Sequence, residues 1–176
     1  KKTMGFELWE QFADLGGGLP DVVLYPTGGG TGLIGMWKAW QELRRLRWIR
    51  PEVATPRMIS VQVAGCAPVV MAFDAAESVT VPFPNPATKA WGLRVPSPLG
   101  GFLCLQAVRE TGGTAIAVSE SRMEEATRQL ARKTGLDICP EGGAAWAALG
   151  ELRSRGLVKP GERVVLFNTG TGLKYR

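Results

Sequence analysis

Gly28, Gly29, Gly30 and Gly32 follow directly on Asp21 to Tyr25, a stretch that reads as a buried strand, and they lead into a stretch that reads as a helix. Such a turn has almost no side chains, so its backbone N–H groups can close on a phosphate, and a helix opening near Gly32 adds the positive end of its dipole. A second motif repeats the logic. Arg163 to Phe167 reads as a strand and runs into Asn168-Thr-Gly-Thr-Gly172, which presents the hydroxyls of Thr169 and Thr171 at the carboxyl end of that strand. Parallel sheets place ligands at this edge. A phosphorylated ligand is the expectation.

Three phosphate chemistries compete for the glycine turn. A nucleotide P-loop requires Lys-Ser or Lys-Thr after its last glycine, whereas Met36 and Trp37 follow Gly35, so that reading fails. Gly30-Thr-Gly32-Leu-Ile-Gly35 fits the GxGxxG dinucleotide pattern, yet the next strand ends Gln62-Val-Ala-Gly65 without the acidic residue that would hold a ribose. The third reading uses both motifs. A cradle for one phosphate and a neutral hydroxyl from a nearby strand end suit a small phosphorylated ring, and pyridoxal phosphate is such a ligand.

The chain holds no histidine among its 176 residues, which removes the usual general base, nucleophile activator and metal ligand together. Hard chemistry would then sit on a cofactor or on residues outside this segment. Cys66, Cys104 and Cys139 are widely spaced and odd in number, so they read as buried free thiols and not as a zinc site or disulfide framework; no metal is expected. Net charge is +5, with Arg44, Arg45, Arg47 and Arg50 around Trp48. These cations sit at the end of a predicted helix, where they complement its dipole, and no nucleic-acid motif accompanies them. No apolar run reaches the roughly 18 residues of a membrane span, and no signal peptide opens the chain, so a cytoplasmic location is the default.

The elements that must position these motifs alternate between helix and strand, which predicts a three-layer α/β fold: a mostly parallel sheet with helices on both faces. Helices are expected over 5–14, 32–46, 67–74, 100–110, 120–134 and 143–155, the fifth capped by Ser119. Strands are expected over 21–25, 58–63, 114–118 and 163–167, with a short strand or turn at 136–139. Five prolines between Ser78 and Pro98 predict a long surface connection of the kind that often borders a site. Residues 1–176 read as a single cofactor-binding domain, and Lys1 in place of methionine suggests a fragment that lacks an N-terminal half.

Leu19 to Ala39, Cys139-Pro-Glu-Gly-Gly-Ala-Ala145 and Val165 to Tyr175 occur in the order found in the tryptophan-synthase-beta-like (fold type II) pyridoxal-phosphate family, and they resemble its threonine-synthase branch. The resemblance implies that Gly28, Gly29, Gly30, Thr31 and Gly32 hold the cofactor phosphate and that Thr169 bonds the pyridine nitrogen. Thr27, Glu141 and Thr171 are secondary candidates, Glu141 being equally readable as a charge at a helix start. A neutral hydroxyl stabilises a protonated pyridinium less than a carboxylate would, which makes the ring a milder electron sink. The resemblance further implies conversion of O-phosphohomoserine and water to threonine and phosphate, or the related threonine or serine dehydratase reaction, and a homodimeric assembly. A non-catalytic remnant is the reading from another class. The family's Schiff-base lysine and Ser-Gly-Asn loop are not found in this segment, so no catalytic residue is assigned here. Thr171 stands where histidine is expected in the threonine-synthase branch.

Overall fold

The computed structural model describes residues 1–175. Apolar residues at helical spacing form α1 (Thr3–Asp14), followed by the strand β1 (Val22–Pro26) and α2 (Thr31–Arg45). The chain continues through β2 (Arg57–Val63), α3 (Pro68–Asp74), α4 (Gly101–Glu110), β3 (Thr114–Val118), α5 (Glu120–Thr134), α6 (Pro140–Ser154) and β4 (Val164–Leu166). Every strand pairing is parallel, and the sheet order is β3-β2-β1-β4. Alternating side chains of β1 serve two cores. Val22 and Leu24 pack with Ala144, Ala148 and Leu152 of α6, whereas Val23 and Tyr25 pack with Leu33, Met36 and Trp40 of α2. With both faces covered, β1 is an unbroken apolar run, as a central parallel strand should be.

The order of the strands fixes where a ligand can sit. From β1 the chain steps outward to β2 and β3, then crosses by α5 and α6 to lay β4 on the other side of β1. The connection that leaves β1 and the one that enters β4 therefore run to opposite sides of the sheet, and a crevice opens between the carboxyl ends of these two strands. Thr27 N–H donates to the Val61 carbonyl at 2.8 Å, which carries the chain past the end of β1 before it turns.

The expected strands and helices all form, with two differences at the site. α6 begins at Pro140 and not near Gly143, because Cys139 caps it and proline is suited to the first helical turn. Residues 136–139 form no strand; Ile138 makes a single bridge to Thr171. The proline-rich stretch is irregular as expected, except for a 3₁₀ turn at Trp91–Leu93. Ser119 accepts from Arg122 N–H at 3.3 Å and caps α5 as predicted. Arg44 and Arg45 lie in the last turn of α2, where Arg44 donates to the Val53 carbonyl at 2.6 Å and Trp48 stacks on Trp9 at 5.4 Å. All three cysteines are buried and free. Among the described residues, no helix is long and apolar enough to cross a membrane.

Candidate functional site

A cleft of about 240 Å³ occupies the crevice between the ends of β1 and β4. Gly28, Gly29, Thr31 and Gly32 line one wall, Thr169 and Thr171 the other. The two motifs singled out in the sequence, more than a hundred residues apart, thus face one cavity. A larger hollow of about 380 Å³ lies between α5 and α6, walled by side chains such as Arg122, Arg153 and Trp146, and no residue of Gly28–Gly32 or Thr169–Thr171 lines it.

The glycine wall is built so that side chains cannot replace it. Gly30 has φ of +81° as it enters α2, a conformation glycine adopts without strain, and a Cβ there would collide with Cys104 Sγ. A Cβ on Gly28 would collide with the Gly92 carbonyl, and one on Gly32 with the Tyr25 ring. At Gly29 the space is open and the residue is exposed. A Cβ is blocked at Gly28, Gly30 and Gly32 and free only at Gly29, and Gly28, Gly29 and Gly32 present bare backbone to the cleft at the start of a helix of 15 residues. Backbone donors and a dipole end together accept a phosphate dianion. Thr31 is exposed at the first turn of α2 and lines the same cleft.

Thr27 is placed differently. Its side chain is fully buried, its hydroxyl donates to the Tyr25 carbonyl at 2.8 Å, and its own carbonyl accepts from Gln62 Nε2 at 3.0 Å. Gln62 Oε1 in turn accepts from the N–H groups of Val69 and Val70 at 2.9 and 3.1 Å. Thr27 and Gln62 hold the root of the loop and do not line the cleft.

On the opposite wall, Thr169 is exposed, with its hydroxyl 3.9 Å from Cys139 Sγ. That thiol caps α6 by accepting from Gly142 N–H at 3.4 Å and donates to Asn168 Oδ1 at 3.2 Å. Burial pushes the Cys139 thiol upward, the Gly142 N–H acting against it, so the group stays a neutral donor. Thr171 accepts from Leu173 N–H at 3.3 Å, which starts the closing 3₁₀ turn Gly172–Tyr175. Glu141 is not an exposed helix charge. It is only 4% exposed, and Oε1 accepts from Gly92 N–H at 2.9 Å and from the Tyr175 hydroxyl at 2.5 Å. Burial, and then the bond to Glu141, holds the Tyr175 phenol above its ordinary range.

Sequence reasoning overlooked Gly92, Cys139 and Tyr175 as walls of this cleft. The one available signal was that long loops border sites, and the 3₁₀ turn carrying Gly92 does come from such a loop.

A glycine loop and a neutral hydroxyl thus face one cleft at the switch point of a parallel sheet. The chain belongs to the family of pyridoxal-phosphate dependent enzymes, whose model matches residues 1–170. It is 33% identical to threonine synthase of Methanocaldococcus jannaschii over 174 residues, which is 99% of this chain and 42% of that protein. Threonine synthase of Methanosarcina acetivorans is 32% identical over the same share. The chain therefore spans less than half the length of these curated relatives. Among solved structures, a T.th. threonine deaminase matches with a TM-score of 0.71 and 26% identity, covering 97% of this chain and 56% of that one. Threonine synthase from Escherichia coli matches with a TM-score of 0.65 at 18% identity, covering 89% of this chain and 34% of that one, a likeness of fold. Pyridoxal 5′-phosphate is the cofactor of this family, and the glycine cradle, where Gly92, Cys104 and Tyr25 leave no room for a Cβ, fits its phosphate.

Proposed function

We propose that this chain is the cofactor-holding part of a threonine synthase, an enzyme that converts O-phosphohomoserine and water to threonine and phosphate. The observation that carries the reading is the convergence of Gly28–Gly32 and Thr169 on one cleft at the switch point between β1 and β4. The threonine-synthase names of the curated relatives narrow the chemistry.

In this reading the amide groups of Gly28, Gly29, Gly30 and Gly32, aided by the Thr31 hydroxyl, bind the cofactor phosphate, and Thr169 donates to or accepts from the ring nitrogen without charging it. The bound cofactor supplies an electron sink for elimination and addition at the carbons of an amino acid. An uncharged partner at the ring nitrogen keeps that sink mild, which favours elimination and replacement over reactions that need a full pyridinium. Every proton transfer is assigned to residues outside this segment, foremost the family's cofactor-linking lysine.

A dehydratase of the same family is the second reading, favoured by the 26% identity to a threonine deaminase, while Thr171 departs from the histidine expected in the threonine-synthase branch. Assay of the complete encoded polypeptide with O-phosphohomoserine and, separately, with threonine distinguishes them. Threonine and inorganic phosphate from the first substrate support the synthase. Ammonia and a keto acid from the second overturn it in favour of the dehydratase. Residues 1–176 alone are expected to form neither product.

A further inference from the structure

Glu141 stands at the centre of a column of contacts that joins the two walls of the cleft. At one end, Gly28 of the phosphate loop abuts the carbonyl of Gly92 so closely that no Cβ fits between them. Gly92 is backed in turn by Glu141: its N–H donates to Oε1 at 2.9 Å, and a Cβ on Gly92 would lie 2.8 Å from that oxygen. The same Oε1 accepts the Tyr175 hydroxyl, and the Tyr175 ring packs on Trp91 with centroids 5.6 Å apart. Tyr175 belongs to the closing turn that begins just after Thr169 and Thr171. One buried carboxylate oxygen therefore ties the loop behind the phosphate cradle to the segment that carries the ring-end hydroxyls.

We infer that Glu141 and Tyr175 are positioning residues that set the separation between the phosphate cradle and Thr169, and so the fit of the whole cofactor. The inference rests on the cofactor site proposed above. A phosphate and a ring nitrogen lie at a fixed distance within one rigid molecule. Two walls built from opposite ends of the chain must be held to that distance for both ends to be satisfied together, because small misplacement at a bound group costs affinity and orientation. Glu141 is well placed to hold it, being buried, acting on two separate segments through one atom, and anchored by the first turn of α6. Tyr175, at the periphery, is the member that can be altered without emptying a core.

The test compares wild type, Tyr175→Phe, Glu141→Gln and Glu141→Ala in the complete encoded polypeptide. Pyridoxal phosphate is titrated, affinity and the circular dichroism of the bound cofactor band are recorded, and thermal unfolding without cofactor is measured as a control. Tyr175→Phe keeps the ring on Trp91 and is expected to lower the cofactor-free unfolding midpoint only slightly, but to weaken cofactor affinity about tenfold, the low end of the scale for one hydrogen bond to a charged group, and to reduce the dichroic signal. Glu141→Ala is expected to produce the larger loss. Glu141→Gln, whose amide oxygen still accepts from both donors, is expected to recover most of it. Wild-type affinity and an unchanged dichroic band in Tyr175→Phe would overturn the inference while leaving the cofactor site intact. A wild-type protein that gives no cofactor band at all would instead remove the site on which the inference rests.

Discussion

The Cα of Gly28 and the carbonyl of Gly92 meet so closely that a methyl group on Gly28 has nowhere to go. The contact sets the glycine loop directly against the 3₁₀ turn of a long connection, with no room for a side chain between them. Gly28→Ala must displace the turn or the loop, and a destabilisation of about 1–3 kcal/mol is expected from overpacking against backbone. At Gly29, where a Cβ meets nothing within 4 Å and φ is not positive, alanine is expected to change folding stability by less than about 0.5 kcal/mol. Urea unfolding of the two variants side by side checks the contrast. Equal losses would show that the loop, and not its contact with Gly92, governs stability.

Gln62 is a buried polar residue whose amide closes a circuit between the root of the glycine loop and the start of α3. Gln62→Leu keeps the bulk but leaves the Thr27 carbonyl and the N–H groups of Val69 and Val70 without that partner. The expected cost is on the order of 3 kcal/mol, since each buried unsatisfied group costs about 1–3 kcal/mol. Chemical denaturation reads this directly, and a loss below about 1 kcal/mol would mean that water replaces the amide.

Thr169 is exposed and its hydroxyl contributes only a 3.9 Å contact with Cys139 Sγ. Thr169→Val should therefore leave the unfolding midpoint near that of wild type while altering the absorption of bound pyridoxal phosphate and lowering turnover of the complete enzyme. An unaltered cofactor spectrum would remove Thr169 from the ring end of the site.

Burial pushes the Cys104 thiol from an ordinary 9.0 up to about 12. The folded state thus holds the proton more tightly than the unfolded chain, so its stabilising contribution is intact below pH 9 and is lost as pH rises from 9 toward 12. The slope from this one group approaches about 1.4 kcal/mol per pH unit within that window. Unfolding free energies at about pH 8, 9 and 10 are expected to fall more steeply in wild type than in Cys104→Ala. Parallel lines would show that the thiol ionises freely in the fold.

Most of the scaffold was legible because each element is locally consistent: the unbroken apolar run of β1, helical spacing in α2 and α5, and Ser119 as a cap all point to the structure that forms. That Gly28, Gly29, Thr31 and Gly32 would share a cleft with Thr169 was legible for a similar reason, since a glycine-rich strand-to-helix turn has few uses. The start of α6 was misread because Cys-Pro is a weak cap signal beside the usual serine, threonine or aspartate. Glu141 looked equally like an exposed charge, and only the fold shows that Gly92, 49 residues earlier, and Tyr175, 34 residues later, converge on its one oxygen. Nothing local in a sequence marks a carboxylate whose partners come from that far away. Gly92 was hidden in turn by its place in a stretch whose prolines announce only irregularity.

The strand order has a consequence in time as well as in space. The hydrogen bond between Arg163 N–H and Asp21, at the base of the β1–β4 pair, joins residues 142 positions apart. Closing a loop of that length is slow relative to local folding. The glycine wall can thus be in place on β1 while its counterpart is still unpaired, and the cleft exists only after β4 has been laid down. A chain in which β4 is not yet paired offers only one wall of the cleft, so the proposed cofactor site is complete only in the fully paired sheet.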